Sequence, residues 1–220
     1  MLNPVVAIDG PAASGKSTVA RKLAALLNFT YVDTGAMYRA FAWLALEQNL
    51  DPADRVSVSG LVECVKFDLT VSGGAVRMAL DGTDPAPFIR SERINAAVSK
   101  IAAIPELRER LVIEQRKLRN LAPLVMEGRD IGTVVFTDTA FKFFLDADPA
   151  IRASRRRQQG QTDAVAARDQ ADAARAAAPL TMAADAIPVD ATYNDADQIA
   201  AKILQICRDR GLSAAKVEAL

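Results

Sequence analysis

Histidine is absent from the 220-residue chain. That absence excludes serine-histidine-aspartate and cysteine-histidine nucleophile chemistry, imidazole general-base mechanisms and nearly all zinc catalysis. Cysteine is scarce: Cys64 and Cys207 stand far apart, no C-x-x-C occurs, and each falls in an apolar-periodic segment. The pattern is that of buried thiols in a reducing compartment rather than of a disulfide or metal pair. No apolar run approaches the roughly 18 residues of a membrane span, and the N-terminus has neither the basic nor the apolar region of a secretory signal. A cytoplasmic protein without a membrane partner is expected. Nor is there an excess of either charge, since 27 basic side chains balance 27 acidic ones. No long-range field therefore draws the chain to a nucleic-acid polymer, and any recognition of anions has to be local.

What remains is an ordinary globular composition, half apolar and a quarter charged, long enough for one large domain with a small insert. Its most informative stretch is Gly10-Pro11-Ala12-Ala13-Ser14-Gly15-Lys16-Ser17-Thr18, directly after the apolar run Val5-Val6-Ala7-Ile8. A buried strand ends at Asp9, a glycine-bounded loop turns, and a helix opens with its unpaired N–H groups aimed into the loop. Those groups and the helix dipole favour a polyphosphate. Gly10 and Gly15 permit close approach, Lys16 supplies a cation to the outer phosphates, and Ser17 can ligate Mg2+.

Further along, Val19, Leu23, Leu26 and Leu27 give a helix over 16–28, and 29–32 reads as a strand, completing a βαβ unit. Thr34 can cap the next helix, which runs to about residue 48, and a loop with Asp51-Pro52 follows. From Cys64 the period changes to two: Val65, Phe67, Leu69 and Val71, then Val76, Met78 and Leu80, form a small antiparallel sheet. It interrupts the α/β pattern as an inserted lobe over 62–90, whose role is either nucleotide binding or packing alone. Pro105 divides 91–120 into two helices. The run 124–126 reads as a strand delivering Glu127-Gly128-Arg129-Asp130 to its carboxyl end, where ligands of open parallel sheets sit. Strands at 141–145 and 186–189 and a helix over 195–210, with Gly211 at its C-cap, close the chain.

Segment 150–178 is rich in alanine and arginine and poor in large apolar residues. It is either a solvated helical hairpin or a mobile lid, the second because Arg168, Asp172 and Arg175 share one helix face at i, i+4 and i+3 spacings. Arg39, Arg129 and Arg175 each fall beside a turn or helix end near the carboxyl edge of the sheet or on the lid. Around one phosphate cradle they suggest a second anion site facing the first, because guanidinium forks bind phosphate bidentately. Phosphoryl transfer between two bound phosphates needs positioning and charge neutralisation more than a base, so the missing histidine is no obstacle.

Three ordered motifs carry a family resemblance: residues 10–18 followed by Asp33-Thr34-Gly35-Ala36-Met37-Tyr38-Arg39; Glu127-Gly128-Arg129-Asp130-Ile131-Gly132-Thr133-Val134-Val135-Phe136; and Arg168-Asp169 with Asp172, Arg175 and Pro179-Leu180. Together, over about residues 4–205, the chain resembles bacterial cytidylate kinases, P-loop nucleoside monophosphate kinases. The resemblance implies a three-layer α/β/α fold with a five-stranded parallel sheet, the antiparallel insert and the helical lid in one domain over 1–220. It implies transfer of the γ-phosphoryl of ATP to CMP or dCMP with Mg2+, ATP phosphates on residues 10–18 and Ser17 near the metal. Thr34, Arg39, Arg129 and Arg175 would hold the acceptor phosphate, Arg168 and Asp172 its sugar, and Ser99, Arg108 and Asp130 its cytosine. Lys16, Arg129 and Arg175 would carry the chemistry. The base readers have a physical rationale, since cytosine presents an N4 donor and an N3 acceptor, which call for a carboxylate and a cation. The chain departs from the family in a shorter stretch between Arg155 and Arg168, with Gly160 inside it, and in Pro85 and Pro87, which would stiffen the hinge after the insert.

Two rivals make different predictions. Another small-molecule kinase of the same fold would use the same phosphate machinery on a different acceptor. A P-loop ATPase switch would hydrolyse ATP without an acceptor and would rely on Asp146, at the end of the apolar run Phe141-Lys142-Phe143-Phe144-Leu145, for Mg2+. Trp43, the lone tryptophan, falls four residues past Arg39 and reads as core packing that can report acceptor binding. With no long apolar stripe left over, a monomer is expected.

Overall fold

The computed structural model describes residues 2–158, 165–175 and 178–212, with backbone only at 165, 167 and 168. Among them β1 (Val5–Asp9) is central and buried throughout. Val5 and Ala7 belong to one core and Val6 and Ile8 to another, because layers of helices cover both faces of the strand. The next elements are α1 (Lys16–Leu27), β2 (Thr30–Asp33) and α2 (Thr34–Glu47). α3 (Arg55–Cys64), β3 (Phe67–Ser72), β4 (Ala75–Leu80), α4 (Glu92–Ile101) and α5 (Pro105–Leu118) follow. The remaining elements are β5 (Leu124–Gly128), a π-helical turn over Ile131–Val135, β6 (Phe141–Asp146), α6 (Pro149–Gln158), α7 (Val165–Ala173), β7 (Ile187–Asp190) and α8 (Ala196–Asp209). α1 and α8 pack on one face through Val19, Leu23, Leu27, Ile199 and Ile203, while α2, α4 and α5 cover the other.

The three-layer α/β/α plan is as expected, but the strand count is not. One sheet runs β3-β4-β2-β5-β1-β6-β7, so the five parallel strands are joined by the hairpin as a continuation of the same sheet. The join is thin: β4 pairs with β2 through Tyr31 opposite Ala75, and Tyr31 N donates to Gly74 O at 2.9 Å. A lobe read from alternation alone has no means of declaring which edge it will extend.

Four local expectations are corrected. α3 occupies what reads as a loop: Asp54 caps it by accepting from Val56 N and Ser57 N, and Val58, Leu61 and Val62 turn inward, a periodicity masked by alternating serines. Cys64 therefore ends a helix and is exposed, whereas Cys207 is buried as expected; both thiols are free. The cap of α2 is Asp33, which accepts from Ala36 N at 2.9 Å, and not Thr34, whose hydroxyl donates to Glu127 O at 2.8 Å. α7 ends before Arg175, so that residue pairs with Asp172 from the segment following the helix, not from its face. Gly160 lies outside the described residues. Trp43 is half-buried against the larger core and stacks on Phe88, 5.3 Å between centroids, which anchors the stretch containing Pro85 and Pro87.

Candidate active site

A cleft of about 580 Å³ opens at the carboxyl ends of the central strands, where β1, β2 and β5 deliver their loops. It is lined by residues 12–18 and by Thr34, Arg39, Ser99, Arg108, Arg129, Asp130, Asp172 and Arg175, together with Arg156 and with Arg155, which donates to Ser14 O at 3.3 Å. The residues expected to form two anion sites thus line a single continuous space. Arg168 falls on α7 by its backbone, and its side chain lies outside the described residues.

The cradle is built as its sequence demands. Gly10 has φ +148°, and a Cβ there would stand 2.0 Å from the Leu145 carbonyl oxygen, so the loop can leave β1 beside β6 only with glycine. Gly15, at φ +101°, turns the chain into α1. Lys16 is buried and donates from Nζ to Pro11 O at 2.6 Å and to Ser14 Oγ at 3.4 Å. Burial, then the neighbouring Arg129, depress its ammonium to about 7, against the pull of Glu127, Asp9 and Asp172. The Ser17 hydroxyl donates to Glu127 Oε1, which also accepts from Tyr31 OH at 3.1 Å. That hydroxyl and carboxylate are hard oxygen donors beside the cradle and fit Mg2+. Asp146, by contrast, is exposed, accepts from Ala147 N at 2.7 Å and takes no part in lining the cleft.

Two carboxylates of the cleft are each shared by two arginines, which leaves positive charge in excess there. Arg129 Nε donates to Asp172 Oδ2 at 2.7 Å, and Arg175 Nη2 donates to Asp172 Oδ1, so one buried carboxylate spans both arginines. Arg39 and Arg90 both reach Asp33, at 3.1 and 3.2 Å. Burial opposes ionisation of Asp33, but Arg39, Arg90 and the Ala36 N–H outweigh it and hold its carboxyl below the usual range. Deeper, Arg108 donates to Asp130 Oδ2 and, from Nη1, to Ala102 O at 3.1 Å. Burial pushes the Asp130 carboxyl up against the opposing pull of Arg108 and Arg175.

Several functional contacts escape the sequence reading. Asp9, buried at the end of β1, accepts from Ile131 N at 2.8 Å and Gly132 N at 2.7 Å, fixing the π-helical turn that follows Asp130. Its burial raises its pKa to about 6. Asp169 accepts from Ala12 N at 3.1 Å and from the buried Arg152, which also donates to Ala12 O at 3.2 Å and Ala147 O at 3.0 Å. These contacts tie α6 and α7 to the cradle. Only Asp169 had a signal, as a member of the third motif.

The family model described as cytidylate kinase matches residues 6–209. The cytidylate kinase of Pelotomaculum thermopropionicum is 44% identical over 213 residues, covering 91% of this chain and 94% of its own. That of Solibacter usitatus is 42% identical over 219 residues, covering 94% and 93%. That of Nitratidesulfovibrio vulgaris is 43% identical over 217 residues, again covering 94% and 93%.

Proposed function

The chain belongs to the cytidylate kinase family, and from that premise we propose that it transfers the γ-phosphoryl group of ATP to CMP and dCMP, releasing ADP with CDP or dCDP. The observation that carries this reading is the buried Arg108–Asp130 pair in the same cleft as the cradle. A guanidinium and a carboxylate side by side match the N3 acceptor and N4 donor of cytosine, and uracil inverts both.

In this reading the N–H groups of residues 10–18 and Lys16 hold the ATP phosphates. Thr34, Arg39, Arg129 and Arg175 hold the acceptor phosphate, Ser99 supports the base readers, and Arg168 and Asp172 take the sugar. Asp172 has a second task, since it spaces Arg129 and Arg175 from each other. Mg2+, when bound, neutralises phosphate charge and would be held by Ser17 with Glu127. The attacking atom is an oxygen of the acceptor phosphate, already anionic, so transfer is in line, with no covalent enzyme intermediate and no proton to abstract. Segment 150–178 serves as the lid and 62–90 as the insert beside the acceptor. Two free thiols suit the cytoplasm, and the exposed large apolar residues Leu26, Val56 and Ile113 sit on three different helices, which suits a monomer.

A coupled ADP-release assay tests the reading, run with ATP and Mg2+ alone and then with CMP, dCMP, UMP, AMP, GMP and shikimate. Turnover confined to the cytosine nucleotides is the expected result. ADP release without acceptor would mark an ATPase switch, and turnover with another acceptor a different kinase. In the same assay Asp130→Asn should lower the CMP to UMP preference by roughly tenfold or more, since the amide offers a donor where N4 needs an acceptor. Unchanged discrimination removes Asp130 from base reading.

A further inference from the structure

Three buried polar atoms in the wall of the cleft have no hydrogen-bond partner among the described residues: the Tyr38 hydroxyl, Arg39 Nε and Arg175 Nε. Each is a donor, so the three together call for an oxygen-rich acceptor. Leaving such groups unpaired in a folded interior is costly, and interiors rarely tolerate it. Two belong to arginines assigned above to the acceptor phosphate. Tyr38 has been given no role.

Its placement is determined by α2. Tyr38 lies one turn beyond Thr34 on the same face and next to Arg39, and long helical side chains lean toward the helix N-terminus, here over Thr34. The residue is 8% exposed. Arg108, anchored on Asp130, stands 5.6 Å from the centre of its ring and closes the other side. Burial first, then Asp130, push the phenol up to about 12 against the effect of Arg108 and Arg175, so the hydroxyl keeps its proton at any working pH. A neutral donor among guanidinium groups is suited to an anionic oxygen.

We propose that the Tyr38 hydroxyl donates a hydrogen bond to a phosphate oxygen of the acceptor nucleotide, making it a binding residue at the junction of the phosphate and base subsites. This rests on the acceptor reading above. Because the hydroxyl has no partner to lose among the described residues, Tyr38→Phe leaves the free protein as stable as before, and the whole effect falls on the complex. KM for CMP should rise roughly tenfold to a hundredfold, as for loss of a hydrogen bond to a charged group, with KM for ATP unchanged. UMP and CMP carry the same phosphate, so their preference ratio should stay within about twofold.

The experiment measures KM for CMP, UMP and ATP in wild type and Tyr38→Phe, with thermal denaturation of both free proteins. An unchanged KM for CMP overturns the proposal. So does a changed CMP to UMP ratio, which would make the phenol a reader of the base, or a lowered melting temperature of the free variant, which would make it a structural residue. If wild type itself fails to phosphorylate CMP, the acceptor reading falls first, and that result is recognisable because it needs no variant.

Discussion

Lys16→Met is expected to lower kcat by about a thousandfold while leaving the fold in place, because in the proposed role it removes the cation that stabilises charge developing during transfer. The folded protein loses little: the ammonium donates only to Pro11 O and, weakly, to Ser14 Oγ, and methionine fills the same volume. The stronger test is electrostatic. Burial and Arg129 depress this lysine to about 7. The neutral amine is therefore favoured in the free protein more than for an ordinary lysine, while bound ATP phosphates, in the proposed role, would favour the charged form and raise its pKa. Binding is then expected to take up a fraction of a proton per ATP at alkaline pH, and kcat/KM for ATP to fall as pH rises through the depressed pKa of the lysine. Titration calorimetry in two buffers of different ionisation enthalpy measures the uptake. Loss of both the uptake and the turnover in Lys16→Met is the expected outcome; no uptake in wild type would mean that Lys16 already carries its proton in the free protein, and normal turnover in Lys16→Met would take it out of the chemistry.

Arg175→Met should lower kcat by about 10²–10³-fold with CMP and with dCMP alike, since in the proposed role it removes one fork from the acceptor phosphate. It should also lower stability by about 1–3 kcal/mol, because the buried Asp172 loses one of the arginines that reach it and keeps Arg129 Nε at 2.7 Å. The two effects separate by experiment, one as turnover below the melting transition and the other as the melting temperature. Arg175→Lys should restore most of the stability but only part of the rate, as an ammonium supplies the charge without the planar fork. Normal turnover in Arg175→Met would take this residue out of the acceptor site.

Glu127 shows why some of the site was hidden in the sequence. It stands in a motif flanked by glycine and arginine, where its neighbours attract the attention, and nothing local says that its carboxylate will meet Ser17, 110 residues earlier in the chain, and Tyr31. Asp146 shows the reverse case, since the apolar strand ending in aspartate on which the ATPase rival would rely has the form of a metal-binding end and yet this aspartate is exposed. Both β5 and β6 neighbour β1, but β5 lies between β1 and β2 and brings Glu127 to the cleft at its carboxyl end, whereas β6 ends with Asp146 opposite Asp190 of β7, outside the cleft lining.

Residues whose chemistry is local were legible in the chain. The cradle at 10–18 follows from its own glycines, lysine and serine, the helices from their apolar spacing, and the exclusion of imidazole chemistry from the absence of histidine. Arg129, Asp130 and Arg175 were legible as motif members, and the structure brings all three to one cleft with Lys16. Only the tertiary structure decided that the hairpin extends the main sheet, that Asp33 rather than Thr34 caps α2, that Asp172 bridges two arginines, and that the Tyr38 hydroxyl stands unpaired among them. Backbone preference and periodicity act over a few residues, whereas pairing between distant side chains depends on which strands become neighbours, and that is settled only when the whole core packs.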